Sequence, residues 1–224
     1  GGPIEVRSAP EGATSYQPEE YAAHVHEQNW RVLSSKPYLV GSFVWNMFDF
    51  GSGHRNEGDV LGVNTKGLVT FDRQTRKDPF YFYKANWTAT PTTYIVGRRY
   101  TDRAYAVTDV RVYSNADSVD LTVNGTPVGT MTADRCEQRT CVFPGVALVQ
   151  GVNTVVATGN HAGTAVTDTV EWTLATEDVN IASGRLATGL MTTGGARYGS
   201  DNFFVGGDTA FVTTNNVGPD NFPV

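Results

Sequence analysis

The run Tyr38-Leu-Val-Gly-Ser-Phe-Val-Trp-Asn-Met-Phe-Asp-Phe50 decides how this chain is read. From Tyr38 to Trp45 it is a short, nearly continuous apolar stretch of the kind found in buried parallel strands. It then ends on a tryptophan and an aspartate and opens into the Gly-rich polar loop Gly51-Ser-Gly-His-Arg-Asn-Glu-Gly-Asp59. Upstream, Pro18-Glu19-Glu20 place a proline and two acids in the first turn of an amphipathic helix reaching Leu33, and Pro37 stops it. Glu19, Glu20 and Glu27 on that helix read as solvent-facing. Downstream, Gly67–Phe71 is short and extended, and Asp78-Pro79 reads as the N-cap and first turn of an aromatic helix ending at Trp87. Helix, buried strand, loop and helix in that order is α/β organisation.

At Pro91 the texture changes. Thr93–Val96, Tyr105–Tyr113, Ser118–Val123, Thr126–Thr132 and Asn153–Thr158 alternate or run β-branched, and Asn124-Gly125 is a hairpin turn. This predicts an immunoglobulin-like β-sandwich over residues 92–174. From Ala175 to Val224 a third texture follows, rich in Gly, Thr, Asn and Asp. Residues 1–91 form the first of the three expected domains.

The 224 residues carry a net charge of −6, and no segment has a basic excess, which argues against a nucleic-acid partner. No apolar run is long enough to span a membrane, and Gly1-Gly-Pro-Ile-Glu lacks the features of a signal peptide. Neither a cofactor motif nor metal-ligand spacing is present. The two cysteines, Cys136 and Cys141, flank four residues that would close a hairpin loop and set them opposite each other. Two readings stay open: a disulfide, implying an oxidising compartment, or two unpaired thiols.

An aromatic face, an acid and amide donors at a strand mouth are what a carbohydrate site needs, because the C–H face of a sugar packs on an indole while polar groups fix its hydroxyls. Taken alone, a tryptophan at a strand end is more often core than platform. Four blocks in order change that balance: Phe43–Phe50, Arg55-Asn-Glu-Gly58, Gly62–Arg73 and Lys77–Trp87. Together they resemble the end of the catalytic barrel of glycoside hydrolase family 2, the β-galactosidase and β-glucuronidase family.

The resemblance implies that residues 1–91 are the C-terminal part of a (β/α)8 TIM barrel, with the site at the C-terminal ends of the strands. Trp45, Asp49, Asn64 and Lys66 would shape a sugar pocket, and Glu57 in the loop would border it. Retaining members use two glutamates about 5 to 5.5 Å apart. Gly1-Gly-Pro-Ile-Glu5 looks like the sequence just after the nucleophile motif, so both catalytic glutamates are expected upstream of Gly1 and the chain itself is expected to be inactive.

In β-glucuronidases an Asn-x-Lys at the position of Asn64-Thr65-Lys66 holds the sugar carboxylate. Galactosidase-type relatives also look like Asn-x-Lys-Gly here, so the trio does not decide, and a β-galactoside is the favoured substrate. The alternatives are a β-glucuronide or β-galacturonide, or a non-catalytic carbohydrate-binding protein. The tail, with Asn180–Arg185 and Arg197–Phe204, resembles the opening of a malectin-like carbohydrate-binding domain; an interdomain linker is the alternative. A bacterial periplasmic or secreted location follows from the same resemblance.

Overall fold

The structure is a computed structural model that describes residues 19–53, 62–103 and 105–174, all within one compact unit ending at Leu174. The tail from Ala175 onward is a separate unit. It lies outside the described residues, as do Gly1–Glu11, His54, the Arg55–Gly58 block and Glu57.

Helix α1 spans Glu19–Ser34, with Glu19 and Glu20 in its first turn and Arg31 in its last, each charge matched to the helix dipole. No described helix is long and apolar enough to cross a membrane. Short strands β1 (Phe50–Gly51) and β2 (Val63–Asn64) pair antiparallel. Helix α2 spans Asp78–Trp87; Lys77 is the residue at its N-cap position, so Asp78 lies one place inside the helix, next to Pro79.

The stretch from Tyr38 to Trp45 departs from its sequence reading. It forms no strand, and Val40, Phe43 and Trp45 are 108%, 103% and 76% exposed. Apolar composition gives a segment the capacity to be buried, but burial needs strands on both sides and a layer on each face. Among the described residues Val44 packs against the cluster around Leu68 and Phe82, and the segment that follows the run is bonded to Leu68 and Val69. Leu68 N–H donates to Asn46 O, Val69 N–H to Met47 O and Asp49 N–H to Val69 O, at 2.9 to 3.0 Å, with Phe48 and Val69 bridged in parallel.

The remaining strands are β3 (Thr93–Ile95), β4 (Asp102–Arg103), β5 (Val107–Ser114), β6 (Ser118–Val123), β7 (Thr126–Thr132), β8 (Thr140–Ala147), β9 (Gly151–His161) and β10 (Thr164–Leu174). They form a sandwich of a five-stranded sheet, β4-β10-β9-β6-β7, and a three-stranded sheet, β3-β5-β8. Residues of both sheets close one core: Ile95, Val110 and Val112 meet Leu121, Val155 and Trp172. Asn124 and Gly125 take positive φ between β6 and β7, as a tight hairpin turn requires. Strand β8 has no counterpart in the sequence reading because Pro144 and Gly145 interrupt its pattern; Gly145 sits at φ +65° and its N–H donates to Asp109 Oδ1 at 2.9 Å.

Cys136 and Cys141 form a disulfide on either side of the Glu137–Thr140 bridge, so the oxidised reading holds. The turn it closes docks on the helices. Gln138 O accepts from Asn86 Nδ2 of α2 at 2.9 Å, and Glu137 pairs with Arg31 of α1 at 2.8 Å. The Asn86 side chain also holds Phe82 O and Trp30 Nε1, so it is a packing residue.

Helices and sandwich are also joined through buried carboxylates, which corrects the solvent-facing reading of Glu19 and Glu27. Glu19 accepts from Asp78 N–H at 2.7 Å and from Arg99 Nε at 2.5 Å, while Glu27 binds Tyr113 Oη and Arg111. These acids lie on the face of α1 turned to α2 and the sandwich, where each has a donor waiting.

Candidate functional site

The expected site residues sit around the junction of the Asn46–Asp49 segment with the Asn64–Val69 turn. Trp45 is an exposed indole, braced edge-on by Phe50 with ring centroids 6.0 Å apart. The peptide joining it to Asn46 is cis. Its exposed face is a flat apolar surface of the kind that packs on a sugar ring.

Asp49 is placed differently from the expectation. Only 4% of it is exposed, and Oδ1 accepts from Lys77 Nζ at 2.7 Å and from Gly67 N–H at 2.8 Å. The carboxylate is therefore occupied from within the protein and does not offer an open acceptor beside Trp45. It acts on the site by holding the next turn. Arg73 closes the other side of the segment: its guanidinium lies 4.0 Å over the Phe48 ring, and Nη1 donates to Phe71 O at 2.7 Å.

The turn itself is tightly specified. Asn64 is buried, and its Oδ1 accepts from Lys66 N–H at 3.0 Å, a side chain mimicking a backbone turn. Lys77 Nζ makes a second bond, to Thr65 O at 2.7 Å. Gly67 has to be glycine, because a Cβ there would stand 2.1 Å from Asp49 N and 2.3 Å from Phe48 C. Lys66 is exposed at the apex of this turn.

The structure thus brings Trp45, Asp49, Asn64 and Lys66 into one neighbourhood with three roles: an open aromatic face, a buried anchor, and an Asn-x-Lys turn whose lysine is an exposed residue. Lys77 and Gly67 belong with them and were not singled out from the sequence. A lysine directly before a helix-starting Asp-Pro reads as surface charge, and nothing local marks it as the partner of an aspartate 28 residues away. Among the described residues no cluster of His, Cys, Asp and Glu could hold a metal ion.

Chemically, an indole face and a lysine carried on a fixed turn of the same neighbourhood suit a ligand with one apolar face and one anionic group. The described glutamates on α1 add no acid–base pair to it, since Glu19 and Glu27 are held by arginines and a tyrosine at the helix–sandwich interface.

Comparisons with known proteins agree on the kind of protein that carries these features. Residues 106–167, most of the sandwich, match a family model described as a domain of unknown function, DUF4982. A β-glucuronidase of Bacteroides fragilis is 41% identical over 150 residues; the match covers 66% of this chain but 21% of that protein, so the chain spans about a fifth of the relative's length. An FMN-binding β-glucuronidase of Facaelibacterium prausnitzii L2-6 superposes with a TM-score of 0.65 at 41% identity, covering 75% of this chain and 26% of that one. A putative β-galactosidase of Bacteroides fragilis superposes with a TM-score of 0.72 at 34% identity, covering 78% of this chain and 26% of that one.

Proposed function

With homologues that are glycoside hydrolases of the family 2 β-glucuronidase and β-galactosidase type, we propose that this chain is a segment of such an enzyme and forms one wall of its sugar site. The parent hydrolyses a terminal β-linked sugar with retention, through a glycosyl-enzyme intermediate. The observation that carries this reading is the fixed Asn64–Lys66 turn, in a segment bonded to the one that bears the exposed Trp45. Both catalytic glutamates, expected upstream of Gly1, belong to a barrel whose other strands cover the apolar side chains exposed between Tyr38 and Phe48.

For the sugar, a β-glucuronide fits best. Lys66 supplies a cation and Asn64 fixes its approach, the pairing that charge-assisted recognition of a carboxylate requires. The two relatives at 41% identity are both β-glucuronidases. A β-galactoside, expected from the sequence, is kept as the second reading because the superposition with a TM-score of 0.72 is on a putative β-galactosidase. The Cys136–Cys141 bridge supports a periplasmic or secreted location.

The test is to assay the full-length protein on nitrophenyl β-glucuronide and nitrophenyl β-galactoside, following the first-formed anomer by NMR. Glucuronide turnover with retention supports the proposal. Turnover of the galactoside alone selects the second reading, and turnover of neither overturns the glycosidase assignment.

A further inference from the structure

The Asp49–Lys77 pair is built in a way that stability alone does not require. Both side chains are buried, at 5% and 9% exposure, and a buried ion pair seldom returns more than its desolvation cost; an apolar pair of similar volume does as well. What the pair does accomplish is local. The peptide between Thr65 and Lys66 is held at both ends, its carbonyl by Lys77 Nζ at 2.7 Å and its N–H by Asn64 Oδ1 at 3.0 Å. The next peptide, between Lys66 and Gly67, is held by its N–H on Asp49 Oδ1 at 2.8 Å. The two peptide planes that flank the Lys66 Cα are therefore both fixed, and with them the direction in which the Lys66 side chain leaves the backbone.

Asp49 Oδ1 receives Lys77 and Gly67 together, so moving Lys77 breaks its bonds to Thr65 O and Asp49 and unseats the acceptor that holds Gly67. The same aspartate follows directly on the segment bearing Trp45, and its N–H is bonded to Val69 O at 2.9 Å. Lys77 thus stands at the point where the aromatic face and the cationic turn are held in register.

We infer that Lys77 is a positioning residue for selectivity: it sets the Asn64–Lys66 turn, and through it the preference for a carboxylate-bearing sugar over a neutral one. This rests on the function proposed above. Lys77 touches no substrate; it acts through Lys66.

The experiment compares wild type, Lys77→Met and the double variant Asp49→Asn/Lys77→Met in the full-length protein. The double variant removes both charges together, so neither is left buried and unpaired, and it retains the amide oxygen that Gly67 needs. The ratio of kcat/KM on nitrophenyl β-glucuronide to that on nitrophenyl β-galactoside is expected to fall by about tenfold or more in both variants, through KM for the glucuronide. A purely structural role would lower both substrates in parallel and be relieved in the double variant. That result, or an unchanged ratio in folded protein, overturns the inference.

Hydrogen–deuterium exchange supplies a readout that needs no substrate. Exchange across residues 62–69 is expected to quicken in both variants while strand β9 keeps its wild-type protection; unchanged exchange in the 62–69 peptide overturns the inference. If the wild type hydrolyses neither glycoside, the proposed function fails, and the exchange measurement still decides whether Lys77 sets the turn.

Discussion

Residue-level geometry makes Gly67 the least replaceable position of the site. A methyl group there would meet the backbone of Phe48 and Asp49, which cannot step aside as a flexible side chain can. Gly67→Ala is expected to cost about 3 kcal/mol or more, read as a lowered urea midpoint. A shift below about 0.5 kcal/mol would show that the two segments are not held this closely.

Titration is a second matter of single residues. Burial, then the neighbouring Glu19 charge, pushes the Asp78 carboxyl up to about 8, against the lowering influence of its bonds from Tyr94 Oη and Gly97 N–H. An acid raised in the fold contributes most while protonated, so its contribution is complete below its ordinary 3.8 and lost as pH rises through about 8. His26, which contacts Tyr83 Oη, is lowered by burial from 6.5 to about 4, so its contribution is lost as pH falls from 6.5 toward 4. The two slopes oppose each other from pH 4 to 6.5, and above that only the Asp78 slope remains. Stability is expected to be level between those values and then to fall by at most about 2 kcal/mol by pH 8. Asp78→Asn should remove the fall; an Asp78→Asn profile that still declines across that range would contradict the assignment.

Residue types were legible here and pairings were not. Asn64 and Lys66 stood out through the resemblance, which gives an Asn-x-Lys at this point its chemical meaning. Asp49 was visible as an acid next to an aromatic run, but its engagement by Lys77 depends on the chain doubling back, which no local pattern encodes.

Among elements, the strands of the sandwich were the most readable. Period-two alternation identified β6, where every second residue is buried, and the Asn124-Gly125 turn placed β7 after it although β7 is exposed along nearly its whole length. Strand β8 escaped because a proline and a positive-φ glycine sit within it. The Tyr38–Trp45 run shows the converse: it is apolar in composition yet forms no strand, because a strand needs pairing partners that composition alone does not specify.

The disulfide turn is the element with the clearest stability consequence. Joining residues five apart closes a small loop, for which the chain-entropy model gives about 2 kcal/mol. Replacing both cysteines by serine should lower stability by about that amount. It should also loosen the Arg31–Glu137 and Asn86–Gln138 contacts, giving faster amide exchange at the C-terminal end of α1. Loss of stability with unchanged exchange there would mean that the turn docks on the helices without help from the bridge.

Across the whole molecule, the described residues form one body in which two helices are bound to a sandwich through Glu19, Glu27, Asp78, Tyr94 and Tyr113. That interface was the least legible part of the sequence, because its acids occur at helix positions that look solvent-facing until the sandwich arrives to supply Arg99, Arg111 and Tyr113. It ties both helices to the sandwich through buried and half-buried hydrogen bonds. On this account the sandwich supports the wall that carries Trp45 and Lys66.

The central claim is that this wall selects the sugar by its charge. The most direct measurement is the ratio of nitrophenyl β-glucuronide to nitrophenyl β-galactoside kcat/KM in the full-length protein and in its Lys66→Ala variant. The ratio is expected to fall by about tenfold or more, because a charge-assisted contact to the carboxylate is lost while the indole face remains. A ratio that stays the same when Lys66 is removed would contradict it.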